Sequence, residues 1–227
     1  MSYKIAKYKD LLSVKTKENG EDFVSVNFFA SDILAKYSQL DMQNIFEGKI
    51  LVRKTVAKKL ADAVNKMHEI EENYTFLVSY GYRTLEIQKR YFFENFNKIK
   101  AENPKSEEGN LTELTHQLIA APEVAGHPTG GAVDLTIYDK KNKKTIDMGG
   151  RIGDLSDKRL FTFSEGINEK QIQNRKFLHD LMVQQGFCPF YKEWWHFSYG
   201  DKEWAWFYDK KNAIYQQKTQ EQIKWKM

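Results

Sequence analysis

The chain has 227 residues, 41% hydrophobic and 29% charged, with 35 basic against 31 acidic side chains and a net charge of +4. That length and balance suit a single globular domain over 1–227 with a full core, and so small a positive excess gives no ground for nucleic-acid binding. One cysteine, Cys188, excludes an intrachain disulfide and a cysteine-built metal cluster, and no apolar run is long enough to cross a bilayer.

In chain order, the β-branched and aromatic run over 22–29 predicts a strand. Val56, Leu60, Val64 and Met67 recur at helical spacing and predict an amphipathic helix over 53–70. Residues 74–80 read as a buried strand, broken by Gly81 and followed by Tyr82-Arg83. A second helix is predicted over 85–100, then a polar surface loop over 102–109. Residues 131–138 alternate, with Val133, Leu135 and Ile137 on one face and Asp134 and Thr136 on the other. The lysine-rich segment 140–144 reads as a solvated hairpin turn. A helix over 169–185 would bury Ile172, Phe177, Leu178, Leu181 and Met182 and end at Gly186. Residues 194–199 predict a strand, and the aromatic run 204–207 one more. The sum is an α+β fold: a small, mainly antiparallel central sheet with helices packed against it and the functional site at one end of the sheet.

Two segments carry chemistry. The first runs Gly126-His127-Pro128-Thr129-Gly130-Gly131-Ala132-Val133-Asp134, the second Glu193-Trp194-Trp195-His196. A catalytic zinc takes three protein ligands and keeps a fourth position for water. His127 in a glycine-rich loop, Asp134 on the next strand and His196 further on supply such a set. An acid such as Asp134 amid apolar neighbours needs a partner, because an unpaired buried carboxylate is costly. Residues three apart on a strand face opposite ways, so Glu193 must sit in the turn before the strand to share a centre with His196. From there it can take a proton from water and return it to a leaving amine. Spacing alone equally admits His127 as a loop or capping residue, Asp134 as a half-exposed strand residue and the tryptophans as core. His68, His116 and His179 read as structural, and Cys188 has no base near it in sequence to activate it.

The pattern His-x-x-Gly-x-Ala-x-Asp (His127, Gly130, Ala132, Asp134), followed by Glu-x-Trp-His (Glu193, Trp195, His196), resembles the zinc signature of the D-alanyl-D-alanine dipeptidases, including the vancomycin-resistance type. Gly81-Tyr82-Arg83 matches a third feature of that family, and weaker similarity covers Asn27-Phe28, Met148-Gly149 with Arg151, and Asn174-Arg175 leading to Gly186-Phe187. The resemblance implies one zinc ion per chain on His127, Asp134 and His196, Glu193 as general base and acid, and Arg83 as the oxyanion donor. The expected partner is a small D-amino-acid peptide, and neither nucleic acid nor membrane. A two-histidine, one-carboxylate set also suits iron; the resemblance is what favours zinc.

Two departures bear on substrate reading. Ala125 stands where the family has a serine. The family's aspartate after Met-Gly, which meets the substrate's amino group, is shifted or replaced, with Asp154 as a candidate. Tyr82 and Trp195 complete the expected substrate-binding residues. Three other readings stay open: a D,D-carboxypeptidase or endopeptidase on longer cell-wall peptides, a zinc-containing module that binds peptide without cleaving it, and a metal-free structural His/Asp cluster. With no signal-like run in residues 1–8, cytoplasm is the expected compartment, although an export signal removed earlier leaves the same sequence.

Overall fold

A computed structural model describes residues 4–226. The chain runs α1 (Tyr8–Ser13), β1 (Phe23–Ser25), β2 (Leu34–Ala35), β3 (Leu51–Arg53), α2 (Lys54–His68), β4 (Tyr74–Tyr80), α3 (Leu85–Glu102), α4 (Glu108–His116), β5 (Ala132–Asp139), β6 (Lys144–Thr145), α5 (Glu169–Gln184), β7 (Cys188–Pro189), β8 (His196–Ser198), α6 (Lys202–Phe207) and β9 (Trp225–Lys226). Residues 1–3 of the leading segment lie outside the described residues.

Six strands form the main sheet in the order β2-β4-β5-β8-β7, with β6 folded back on β5. Only β2–β4 is parallel; every other pair is antiparallel. The α+β expectation of a mainly antiparallel sheet therefore holds. A second sheet, β3-β1-β9, was not foreseen. It shortens the strand expected over 22–29 to three residues, because the chain turns after Ser25, where Phe28 N–H donates to Ser25 O.

The alternation along β5 places Val133, Leu135 and Ile137 in the main core, each fully buried, beside Val56, Leu60 and Val64 of α2. Those α2 residues, with Met67, recur at three- and four-residue spacing, so one stripe of the helix packs onto β4 while Lys54, Lys58 and Lys66 face out. Asp134 and Thr136, on the other face, are also buried. Covered on both sides, the sheet holds its register firmly, since a one-residue slip would exchange the two faces.

Local chemistry sets the helix ends. Thr84 accepts from Ile87 N–H at the start of α3, and Asn168 and Gln171 form a reciprocal capping box on α5. Gly186 has φ +80°, the left-handed cap expected after α5. On α5, Leu178, Leu181 and Met182 are buried as expected, but Phe177 is only half-buried and Ile172 is 43% exposed. The loop expected over 102–109 gives way to α4 at Glu108. The strand expected over 204–207 is instead helix α6: Asp201 caps it, its carboxylate accepting from Trp204 N–H at 2.9 Å. Among the described residues, no helix is long and apolar enough to cross a membrane.

Candidate active site

Strand register builds the centre of the site. Tyr80 of β4 stands opposite Asp134 of β5, and Asp134 opposite His196 of β8. Residues directly opposite on neighbouring strands share a face, so these three side chains form one row across the sheet. An irregularity between Val78 and Tyr80 lets Ser79 donate its hydroxyl to Asp134 O at 3.1 Å.

His127 arrives from a 3-10 turn, His127–Thr129, just before β5. The turn closes at Gly130, whose φ of +74° a side chain would resist; a Cβ there would also meet the Phe23 ring at 2.2 Å. His127 Nδ1–H donates to Gly81 O at 2.7 Å, which leaves Nε2 facing Asp134 Oδ2 at 3.4 Å. His196 Nδ1 lies 3.0 Å from the other carboxylate oxygen, Oδ1. One ligand atom from each of His127, Asp134 and His196 falls within 4.8 Å of the others. This donor set, two imidazoles and a carboxylate with one histidine oriented by a backbone carbonyl, fits a zinc ion.

Glu193 sits in the turn before β8, where Glu193 N–H donates to Phe190 O and His196 N–H to Glu193 O. Its Oε2 is 3.9 Å from His196 Nδ1. Burial, reinforced by the charge of Asp134, pushes its pKa up to about 7, although His196 and Arg83 oppose the shift. Burial holds His127 down at about 4 despite the pull of Asp134. Burial also opposes charge on His196, but its hydrogen bond to Asp134 and the charges of Asp134 and Glu193 prevail and raise it to about 9. Asp134, for all its burial, is held far below the carboxylate range by His127 and His196. A carboxyl group with a pKa near neutrality, beside a two-histidine, one-carboxylate cluster, is suited to carry protons in both directions.

Arg83 lines the same cavity. Its Nη1 donates to Gln88 Oε1 at 3.0 Å, and Gln88 is anchored in turn by donating to Ala120 O. The guanidinium lies over Tyr80 at 4.3 Å and Tyr91 at 5.0 Å from the ring centroids. Both phenols donate to Asp41, which holds the rings in place. Arg83 Nε is buried without a hydrogen-bond partner.

These groups line a cavity of about 230 Å³. Arg83, His127, Asp134, Glu193, Trp195 and His196 all reach it, and the Trp195 side chain donates to Glu193. Ala125 is on its wall too. Tyr82 is not: its ring packs in a separate cluster with Phe23 and Ile87, and its hydroxyl donates to Lys218 O at 2.8 Å. Asp154 is not brought to the cavity either; its carboxylate accepts from Ser156 N–H and Oγ–H in a local turn, while its neighbours Ile152, Gly153 and Leu155 line the wall. Trp194 and Trp204 belong to the core.

Asn174 and Arg175 do not enter the cavity. They pin the loop that closes it: Asn174 donates to Asp147 O, and Arg175 to Met148 O and Phe161 O.

Sequence reasoning missed Glu203. It lines the cavity from α6 and carries a pKa pushed up to about 8 by burial and by the charge of Asp201. The cap signal at Asp201 was the clue: an aspartate immediately before a run of helix-compatible residues marks a helix start, and α6 carries Glu203 to the cavity wall.

A profile of the D-ala-D-ala dipeptidase family (peptidase M15) matches residues 30–223. The chain is 27% identical to a D-alanyl-D-alanine dipeptidase of Synechocystis sp. across 92% of this chain and 94% of that one. It is 28% identical to a D-alanyl-D-alanine dipeptidase of Enterococcus faecalis across 68% and 76%. Among solved structures, a vancomycin-resistance D,D-pentapeptidase VanY in complex with Zn(II) aligns over 90% of this chain and 96% of that one, at 16% identity and a TM-score of 0.42.

Proposed function

The chain belongs to the D-ala-D-ala dipeptidase family, and from that premise we propose that it is a zinc-dependent dipeptidase that hydrolyses D-alanyl-D-alanine to two D-alanines. The observation that carries this reading is the convergence of His127, Asp134 and His196 on one point of a cavity that Glu193 and Arg83 also line.

His127, through Nε2, Asp134 and His196, through Nδ1, would hold one zinc ion. Bound there, zinc supplies a Lewis acid for the scissile carbonyl and makes water more acidic. Glu193 takes the proton of the attacking water, and its raised pKa lets it hand that proton to the departing amine. Arg83, held between two rings and by Gln88, keeps N–H donors free for the oxygen on which negative charge develops. Trp195 orients the Glu193 carboxylate and helps exclude water.

Cavity size favours a dipeptide over a longer stem peptide. At about 230 Å³ it is smaller than the roughly 300–1,000 Å³ usual for small-molecule sites. The test is D-alanine release from D-alanyl-D-alanine by zinc-loaded protein, with Glu193→Ala in parallel. Release by the parent and its loss in the variant are expected. No release despite one bound zinc per chain would reject the dipeptidase reading and direct attention to longer cell-wall peptides or to binding without cleavage.

A further inference from the structure

Asp41 belongs to none of the sequence motifs, yet three side chains donate to it beside the active site. The Tyr80 hydroxyl reaches Oδ1 at 2.8 Å, and the Tyr91 hydroxyl and Arg90 Nη2 reach Oδ2. The Asp41 side chain is only 10% exposed. Arg90, 3.4 Å away and 52% exposed, is a screened surface partner, so the two phenols are what hold the carboxylate.

The backbone fixes its place. Lys36 N–H and Ser38 N–H donate to Val78 O and Ser79 O, which draws the chain along β4 toward Tyr80. A 3-10 turn, Leu40–Met42, follows. Met42 is fully buried in the cluster that contains Tyr80 and Tyr82, and this anchors the turn that presents Asp41 to the Tyr80 hydroxyl.

The rings that Asp41 holds are the rings that hold Arg83, on which the guanidinium stacks. The Tyr80 ring also meets the His127 ring nearly edge-on, with centroids 5.5 Å apart. A carboxylate in direct contact with Arg83 would take its N–H donors in a bidentate pair. Set behind the rings, the carboxylate leaves the edge of the guanidinium free. A phenol that donates to an anion also has a more electron-rich ring, and so a better face for a cation.

We propose that Asp41 is a positioning residue for the oxyanion donor: through Tyr80 and Tyr91 it fixes the plane of the Arg83 guanidinium, and it acts on the transition state rather than on substrate binding. This rests on the role given to Arg83 above and extends it to a residue that touches neither metal ligand nor substrate. A donor misplaced by about 1 Å loses on the order of 10²-fold in rate, which sets the scale of the effect.

The test uses the zinc-loaded full chain with D-alanyl-D-alanine, for the parent, Asp41→Ala, Asp41→Asn, Arg83→Ala and the double variant Asp41→Ala/Arg83→Ala. Asp41→Ala should lower kcat about 10–100-fold, with KM within about twofold and one zinc per chain retained. Asp41→Asn, which keeps an acceptor for one phenol, should recover part of the loss and guards against misfolding. The double variant should be no slower than Arg83→Ala alone, because both changes remove the same stabilisation. A phosphinate analogue of the dipeptide, tetrahedral and anionic like the transition state, should bind Asp41→Ala more weakly by about the factor lost in kcat. Calorimetric binding of D-alanyl-D-alanine to zinc-loaded Glu193→Ala should be unchanged when Asp41→Ala is added. Additive losses in the double variant, equal weakening of dipeptide and phosphinate, or loss of zinc would overturn the proposal and leave Asp41 as a tie that only stabilises the fold. A zinc-loaded parent that does not cleave the dipeptide would instead reject the peptidase reading, and this assignment with it.

Discussion

The two walls of the cavity are built differently. The wall bearing His127, Asp134 and His196 grows out of the main sheet: β4, β5 and β8 fix Tyr80, Asp134 and His196 in one row, and a backbone carbonyl orients His127. The wall bearing Ile152, Gly153, Leu155 and Glu203 comes from a long loop and a short helix, held by side chains such as Arg175 and Asp201. Sheet register gives the first wall its rigidity, because displacing one strand would expose its core face. The second wall can vary without disturbing the sheet, which suits a scaffold that keeps one chemistry and adjusts what it reads.

Breaking the first wall should have the largest effect. Removing the metal with a chelator should abolish hydrolysis, and zinc should restore it; Asp134→Asn should bind zinc weakly enough that activity is lost at equimolar metal, as read by metal analysis and rate together. Activity that survives complete chelation would contradict the proposed centre. Arg83→Ala comes next, with kcat reduced about 10²–10³-fold and zinc content unchanged. Lysine should rescue little, since it cannot both stack between Tyr80 and Tyr91 and bond Gln88.

The second wall should respond through KM. Arg175→Ala removes the donors to Met148 O and Phe161 O. It is expected to raise KM roughly tenfold and lower stability by about 2–3 kcal/mol, with zinc retained. Loss of zinc in this variant would show that the two walls are not separable.

The smallest effect belongs to His116, at the far end of the cavity. Burial, with the charge of Lys192, depresses its pKa to about 4, and its Nδ1 accepts from Ala121 N–H. Because the folded pKa lies below the unfolded one, the unfolded chain binds the proton first as pH falls. Stability present above pH 6.5 should therefore decline toward pH 4, by about 2 kcal/mol. In His116→Gln, denaturant titrations across that range should give a flatter profile.

Legibility in the sequence followed the same division. His127 and Asp134 lie seven positions apart, and Glu193 and His196 three, so a glycine-rich turn and one strand each suffice to place them. Asp154 and Tyr82 were read from proximity to motifs, and the fold sends both elsewhere: Asp154 into its own turn with Ser156, Tyr82 to Lys218 O. Residues 204–207 read as a strand because tryptophan and phenylalanine favour sheets, but the Asp201 cap and the packing of Trp204 and Ala205 prevailed. Ile172 fitted the helical period of α5 yet is exposed in the folded chain.

The sequence by itself determined the alternation of β5, the amphipathic stripe of α2, the helix stops at glycine and the set of residues able to bind a metal and carry protons. These depend on periodicity and short separations, which the chain states directly. Only the tertiary structure decided that Tyr80, Asp134 and His196 share one row, that Arg83 is clamped between Tyr80 and Tyr91 with Asp41 behind them, and that Glu203 lines the cavity. Those facts depend on strand register and on contacts between residues 39 to 62 positions apart. The local pattern cannot express them, because burying both faces of the sheet is what selects them.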